Sequence, residues 1–299
     1  MILVAGGSGT LGTQLVRRLL TRGLSVRILT RDPRRVRVRP GERLEVVEGD
    51  VRVQATLPPA VEGVATVVSA VHGLAGPGGV SPASVDRDGN ANLIAAAASV
   101  GAAMVLMSVV GASADSPMEL FRMKHAAEQR LRASGITATI VRSTAFMETW
   151  VALLRQTAAR SGRPLVFGRG DNPINFVSVI DVAALAERAI TDPSTWGQTL
   201  EIGGPEDLTL NEVAAAIQRA AGRAGAPRHV PRGLLHVMAA AMRPVRPDLA
   251  RQARAALVLD AVDMTFDASA TRLAFPDLTS TALAEQLKPS DRVVHEARV

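Results

Sequence analysis

Residues 1–12, MILVAGGSGTLG, decide the fold. ILVAG (2–6) is a short, continuous apolar run, the pattern of a strand buried on both faces. GGSGTLG (6–12) follows it directly. Leu11, Leu15, Val16, Leu19 and Leu20 then recur at helical spacing, and Gly23 is placed as a C-terminal cap. Gly7, Gly9 and Gly12 satisfy GxGxxG; Gly6, Gly9 and Gly12 give the related GxxGxxG. Glycine lets the chain reverse tightly here and brings backbone N–H groups against a pyrophosphate, to which the helix N-terminus adds its positive dipole. Strand, glycine turn and helix in this order predict a dinucleotide site.

The same alternation continues outward. LSVRILT (24–30), LEVVEGD (44–50), TVVSAV (66–71), AMVLMSV (103–109) and TATIVRS (137–143) read as further buried strands. LIAAAASVG (93–101) reads as a helix closed by glycine. Residues 116–134 form another, with Ser116 and Glu119 in a capping-box pattern, Pro117 at its first position and Gly135 at its end. This order predicts an α/β fold, a doubly wound parallel sheet of Rossmann type with right-handed crossovers. Beyond residue 145 come a helix over METWVALLRQTAARSG, a strand at 174–179, a helix over SVIDVAALAERAI, a strand at 199–204 and a helix opened by Thr209 and Glu212. Helices near 233–242 and 248–258 complete the reading. The dinucleotide-binding core is assigned to 1–145 with 174–204 returning to it. Residues 146–173 and 205–299 are assigned to a smaller, mostly helical C-terminal substrate lobe.

Composition narrows the function. Apolar residues at 47% and charged residues at 21% of the 299 describe a soluble globular chain. Cysteine is absent, which excludes thiolate chemistry, and the five histidines show no HxH or HExxH spacing, so no metal site is expected. The chain opens directly on a strand, without the profile of a signal peptide, and no apolar run reaches membrane-spanning length; a cytoplasmic location is expected. The net charge of +6 is carried by dispersed arginines, and aromatics make up 3%, so stacking platforms for nucleic acid are scarce and no specific nucleic-acid binding is expected. Neither monomer nor dimer is favoured.

The second strand ends at Thr30 and is followed by Arg31, with Arg34 and Arg35 close behind. An acidic residue at that strand end would suit the ribose hydroxyls of NAD; a guanidinium suits a 2′-phosphate. With Asp32 placed in the turn beyond the strand, NADP(H) is preferred and NAD(H) is the alternative. Asp50 follows the third strand, where it could meet the adenine edge. His72 follows the fourth, at the sheet edge where ligands bind, and is a candidate proton donor.

In order and spacing, GGSGTLG, the LTRDP turn, GDV (49–51), VDRDGNANLIAAAASVG, MVLMSVVGA, ELFRMKHAAEQRLRASGITATIVRSTAFME, VSVIDVAALAERAI and TLEIGGPEDLTLNEVA resemble the short-chain dehydrogenase/reductase superfamily, in its atypical NmrA-like, NAD(P)-binding branch. The resemblance covers residues 1 to about 217 and is loose over the last 80 or so. It implies that Gly6, Gly9 and Gly12 hold the pyrophosphate, with Ser8, Thr10 and Leu11 lining the loop. Arg31 would bind the 2′-phosphate, Asp50 and Val51 would flank the adenine, and Ala70 and Val71 would pass near its ribose. Ser108 stands at the superfamily's serine position and Lys124 matches the lysine that bonds the nicotinamide ribose. Thr144, Ala145 and Phe146 would lie beside the nicotinamide and the substrate.

The departure is equally informative. Most catalytic members carry a tyrosine four residues before the lysine, whose ammonium lowers the phenol pKa. Leu120 stands there, and the chain contains no tyrosine. Two readings follow. In the first, the chain is an NADPH-dependent oxidoreductase for a small, activated acceptor such as a quinone, an enone or a related carbonyl compound. Hydride addition then leaves a delocalised oxyanion that Ser108 or Lys124 need only stabilise, or that His72 protonates. In the second, it is a non-catalytic NAD(P)-sensing regulator. Lys124 has a plainer reading too, a surface pair with Glu128 four residues on.

Overall fold

A computed structural model describes residues 1–39, 41–74, 76 and 79–288. Six strands alternate with helices through the first half: β1 (Ile2–Ala5), α1 (Thr10–Thr21), β2 (Val26–Thr30), β3 (Leu44–Glu48), the short α2 (Pro58–Val61), β4 (Thr66–Ser69), α3 (Asn90–Ser99), β5 (Ala103–Val109), α4 (Glu119–Ala133) and β6 (Ala138–Ser143). After β7 (Ala145–Phe146), α5 (Met147–Ser161), β8 (Leu165–Phe167) and β9 (Ile174–Val177), the chain returns through α6 (Val179–Thr191) and β10 (Thr199–Ile202). The main sheet has seven strands, all parallel, in the order β10-β6-β5-β4-β1-β2-β3. Strand order therefore reverses between β1 and β4, which opens a crevice beyond their carboxyl ends.

Strand residues alternate between two cores. Val4, Ile28, Val68, Val105 and Val141 meet Leu15 and Leu19 of α1 and Val182 and Leu185 of α6 on one face. Leu3, Leu29, Val67, Leu106 and Ile140 meet Leu93 of α3 and Ala127 and Leu131 of α4 on the other. Burial on both faces accounts for the apolar centres of these strands, whereas β3, expected to be buried, lies at the sheet edge and is largely exposed.

The remaining elements pack outside the main sheet. β9 pairs with β7 and with β11 (Asp207–Leu208) in a three-stranded sheet, so the predicted strand at 174–179 lies outside the main sheet, while α6 and β10 belong to it. A third core joins Met147, Val151 and Leu154 of α5, Phe176, and Leu210, Val213 and Ile217 of α7 (Leu210–Ala220). β12 (Arg228–Val230) pairs with β8, and α8 (Arg232–Ala241) packs on α9 (Pro247–Leu259) through Leu235, Ala239 and Ala253. No helix among the described residues is long and apolar enough to cross a membrane. Residues 289–299, the end of the predicted lobe, lie outside the described part of the chain.

Two local expectations are corrected. The Ser116/Glu119 capping box does not form: the Ser116 hydroxyl accepts from the Met118 N–H at 3.3 Å and α4 begins at Glu119. The helix starts two residues later than the box requires, with Met118 at the N-cap, so Ser116 and Pro117 both lie outside it. At Thr209 the box does form, with the Thr209 hydroxyl accepting from Glu212 N (3.1 Å) and the Glu212 carboxylate from Thr209 N (2.8 Å). The helix predicted over 93–101 is longer than expected. It is preceded without a break by Pro82–Gly89, wound as a π-helix that buries Pro82, Val85, Asp86 and Gly89. A search for period 3.6 does not detect that spacing.

Candidate functional site

The crevice is walled by the glycine turn, by Thr30, Arg31, Asp32 and Arg35 after β2, by Asp50 and Val51 after β3, and by Ala70, Val71 and His72 after β4. The three motif glycines are required for different reasons. Gly6 has φ +86°, and a Cβ there would stand 2.6 Å from the Ala70 carbonyl oxygen. At Gly12 a Cβ would overlap the Gly6 carbonyl, so its absence lets α1 sit directly on the turn. Gly9 is different: it has ordinary extended backbone (φ −80°), and its Cβ would meet only the Gly6 oxygen, at 3.3 Å. The protein itself hardly needs glycine at position 9, which leaves its exposed, cleft-facing side as the reason for it.

Gly9 is also the N-cap of α1. No side chain caps the helix, no acidic residue lies in its first turn, and its backbone bonding begins with Thr13 N to Gly9 O at 2.9 Å. The first-turn N–H groups and the helix dipole are therefore presented to an anion. Ser8 contacts Thr30 through the two hydroxyls (3.1 Å), and Thr10 is exposed at the turn. The Leu11 side chain is buried in the core against α6, so Leu11 offers the site its backbone only.

On the β2 side, Asp32 caps a turn at Pro33–Arg35. Its carboxylate accepts from the Arg34 N–H (3.1 Å) and from Arg34 Nε (2.9 Å), and that hydrogen bond holds its pKa below the usual range. Arg31 and Arg35 are exposed and make no side-chain hydrogen bond among the described residues. The Asp50 carboxylate is bound by Arg52, with Nη2 at 2.6 Å, and this bond lowers its pKa in turn. Val51 is buried, its carbonyl accepting from Asn92 Nδ2 at 2.9 Å.

His72 opens onto the cleft, yet dense protein behind it lowers the pKa of its imidazole by desolvation. Lys124 pushes in the same direction and Asp86 opposes it. Lys124 itself is buried, at 4% exposure. Its ammonium donates to the carbonyls of Val71 and Met107, both at 2.9 Å, and pairs with Asp86 Oδ1 at 3.0 Å. The surface pair with Glu128 therefore does not exist. Glu128, wholly buried, accepts instead from Arg142 (2.9 and 2.7 Å) and from the Ser108 hydroxyl (2.5 Å). Ser108 is thus turned away from the crevice into a buried polar network between β5, α4 and β6. The structure does not bring it to His72's side of the site. Thr144 donates to Asn175 Oδ1 at 3.0 Å, linking β6 to the lobe, with half-buried Ala145 and Phe146 next to it. Asp86 was missed by sequence reading. It lies in the quoted VDRDGN segment but carries no spacing signal, because the π-helical winding is what turns it inward.

A family model described as the NmrA-like family matches residues 1–273. The chain belongs to the NmrA-like family. Within reach of this NmrA-like chain, the NAD(P)H azoreductase of Xenophilus azovorans is 33% identical over 75% of this chain and 74% of its own length. A (4-alkanoyl-5-oxo-2,5-dihydrofuran-3-yl)methyl phosphate reductase of Streptomyces griseus is 34% identical over 75% and 74%. Among solved structures, the NADPH complex of the NADPH-dependent quinone oxidoreductase QOR2 from Escherichia coli superposes with a TM-score of 0.75 over 96% of this chain and 98% of that one, at 23% identity. At that identity the superposition shows a shared fold.

Three outcomes test this geometry. Gly12→Ala should lower unfolding stability in urea by about 1–3 kcal/mol through overpacking, while Gly9→Ala should cost at most about 1 kcal/mol, the value of a poor N-cap. Ser108→Ala should cost about 1.5–3 kcal/mol in the same measurement, the worth of one hydrogen bond to a charged group, without changing affinity for a dinucleotide. For His72 the folded pKa lies below the unfolded one, so the unfolded state binds more protons as pH falls below about 6.5. Stability should therefore drop from pH 7.5 to 5.5, and His72→Gln should flatten that part of the profile.

Proposed function

We propose that this chain is an NADPH-dependent reductase delivering hydride to an activated acceptor such as a quinone, an enone or an azo compound. The observation that carries the reading is a cleft that joins an uncapped helix N-terminus over an open Gly9 to two exposed arginines, Arg31 and Arg35, whose side chains make no hydrogen bond among the described residues. Backbone N–H groups of the turn would hold the pyrophosphate. Arg31 and Arg35 would bind the 2′-phosphate, while Arg34 and Arg52 neutralise the two carboxylates of the cleft wall, Asp32 and Asp50. Val51, Ala70 and Val71 would wall the adenosine half. When bound, NADPH supplies the hydride.

The acceptor class follows from what the site lacks. No phenol exists in the chain, Ser108 is committed to Glu128, and Lys124 is buried, bonded to two backbone carbonyls and paired with Asp86. A positioned acid commonly contributes about 10²–10⁴ in rate, and an acceptor whose reduced form spreads its charge can do without it by taking a proton from solvent. The two reductase relatives act in the same direction as this reading. His72 is the remaining titratable group on the cleft wall after β4, and its lowered pKa keeps it neutral near pH 7, able to donate a hydrogen bond to a developing anion.

NADPH oxidation followed by absorbance against quinones, azo dyes, enones and simple ketones, with NADH in parallel, tests the reading. Turnover of the first three classes with ketones poor is the expected pattern. Arg31→Ala should weaken NADPH about 10- to 150-fold, the equivalent of one charge-assisted bond, and leave NADH unaffected. NADPH binding with no acceptor reduced would instead favour a cofactor-sensing role.

A further inference from the structure

Lys124 occupies the position at which this superfamily's lysine serves a tyrosine and the cofactor, yet its surroundings here point elsewhere. Its ammonium donates to the Val71 and Met107 carbonyls, both at 2.9 Å, and lies 3.0 Å from Asp86 Oδ1 as an ion pair without an aligned hydrogen bond. The residue one turn earlier, Leu120, offers no phenol for the charge to act on. The second oxygen of Asp86 accepts from the Gly73 N–H at 2.8 Å. The pair thus grips the peptide groups on both sides of His72, the 71–72 peptide by its oxygen and the 72–73 peptide by its nitrogen. Two further contacts tighten the grip. A Cβ at Gly73 would overlap the Ser81 carbonyl, so the backbone packs directly on the start of the π-helix. Asn90, four residues beyond Asp86, accepts from the Ser69 hydroxyl at 2.5 Å and donates to the Asp86 carbonyl at 2.8 Å. The carboxyl end of β4 is tied from Ser69 to Gly73 by residues of one helix and by Lys124.

We propose that Lys124 and Asp86 are a positioning pair: they clamp residues 71–73 and so set the cleft wall and the orientation of His72. Lys124 then acts through the wall it holds, and Asp86 is functional although it is wholly buried behind the cleft. This rests on the reductase reading for its affinity readout and is independent of it for its structural one.

The test is a cycle of Asp86→Asn, Lys124→Met and the double variant, with two readouts. Hydrogen exchange of the 71–73 segment in the unliganded protein reads the clamp directly. NADPH affinity, from the fluorescence of the bound nucleotide, reads its consequence. The expected result is faster exchange at 71–73 in all three variants, with α1 and β5 unchanged. Lys124→Met should weaken NADPH at least tenfold alone but by less than threefold once Asp86 is Asn, because the clamp is already open. The same tenfold loss in both backgrounds, or a loss of affinity with exchange at 71–73 unchanged, would overturn the proposal in favour of direct contact. If a single variant leaves one buried charge unpaired and fails to fold, the double variant, which removes both, decides through exchange at 71–73 against the parent, and unchanged exchange there overturns the clamp. A parent that binds no NADPH sinks the reductase reading alone, and the exchange data still decide the clamp.

Discussion

Helix α1 can point its N-terminus into the crevice only because backbone meets backbone at the turn. Gly12 lies so close to the Gly6 carbonyl that no side-chain carbon fits between them, and Gly6 lies equally close to Ala70 across the switch from β1 to β4. Two consequences follow. The helix is pinned over the end of β1 with its uncapped first turn toward the opening, where its partial positive charge acts on whatever enters. The crevice also receives a fixed width, since β1 and β4 are held at backbone contact distance above the sheet as well as within it. The arginines after β2 and the wall after β4 derive their separation from that arrangement.

A second constraint lies under the site. Helix α4 turns polar residues inward: Lys124 and Glu128, one turn apart, are among its most buried side chains. They do not pair with each other, although their spacing allows it. Lys124 reaches the ends of β4 and β5 and meets Asp86, whereas Glu128 reaches β5 and β6 through Ser108 and Arg142. Taking these charges out of water costs several kcal/mol per ion, and it is offset only where each finds several well-placed partners. Both networks meet that condition. The same condition immobilises them: a buried side chain held by several partners is well suited to holding other groups in place.

The parallel sheet was legible from the chain because strands buried on both faces must be continuously apolar, and because glycine turns and terminal caps punctuate them. Gly23, Gly101, Gly135 and Gly162 all end helices with positive φ. The glycine turn, the arginines beyond Thr30 and the absence of tyrosine were read from local spacing or simple counting. Asp86 was not readable, since a π-helix hides its inward face from a search at period 3.6. The partners of Ser108 and Lys124 were not readable either, because Glu128 and Asp86 each lie tens of residues away from one of the groups they bind, or face it from another element.

What the sequence alone determined is therefore everything set by neighbours along the chain: strand and helix order, the tight turn, the basic segment after β2, and the chemistry that no tyrosine can perform. Tertiary structure decided which polar side chains face the crevice and which are consumed beneath it. The reason is physical. Burial forces every ionised group to find partners, and those partners arrive from strands and helices whose mutual placement exists only once the sheet has closed around them.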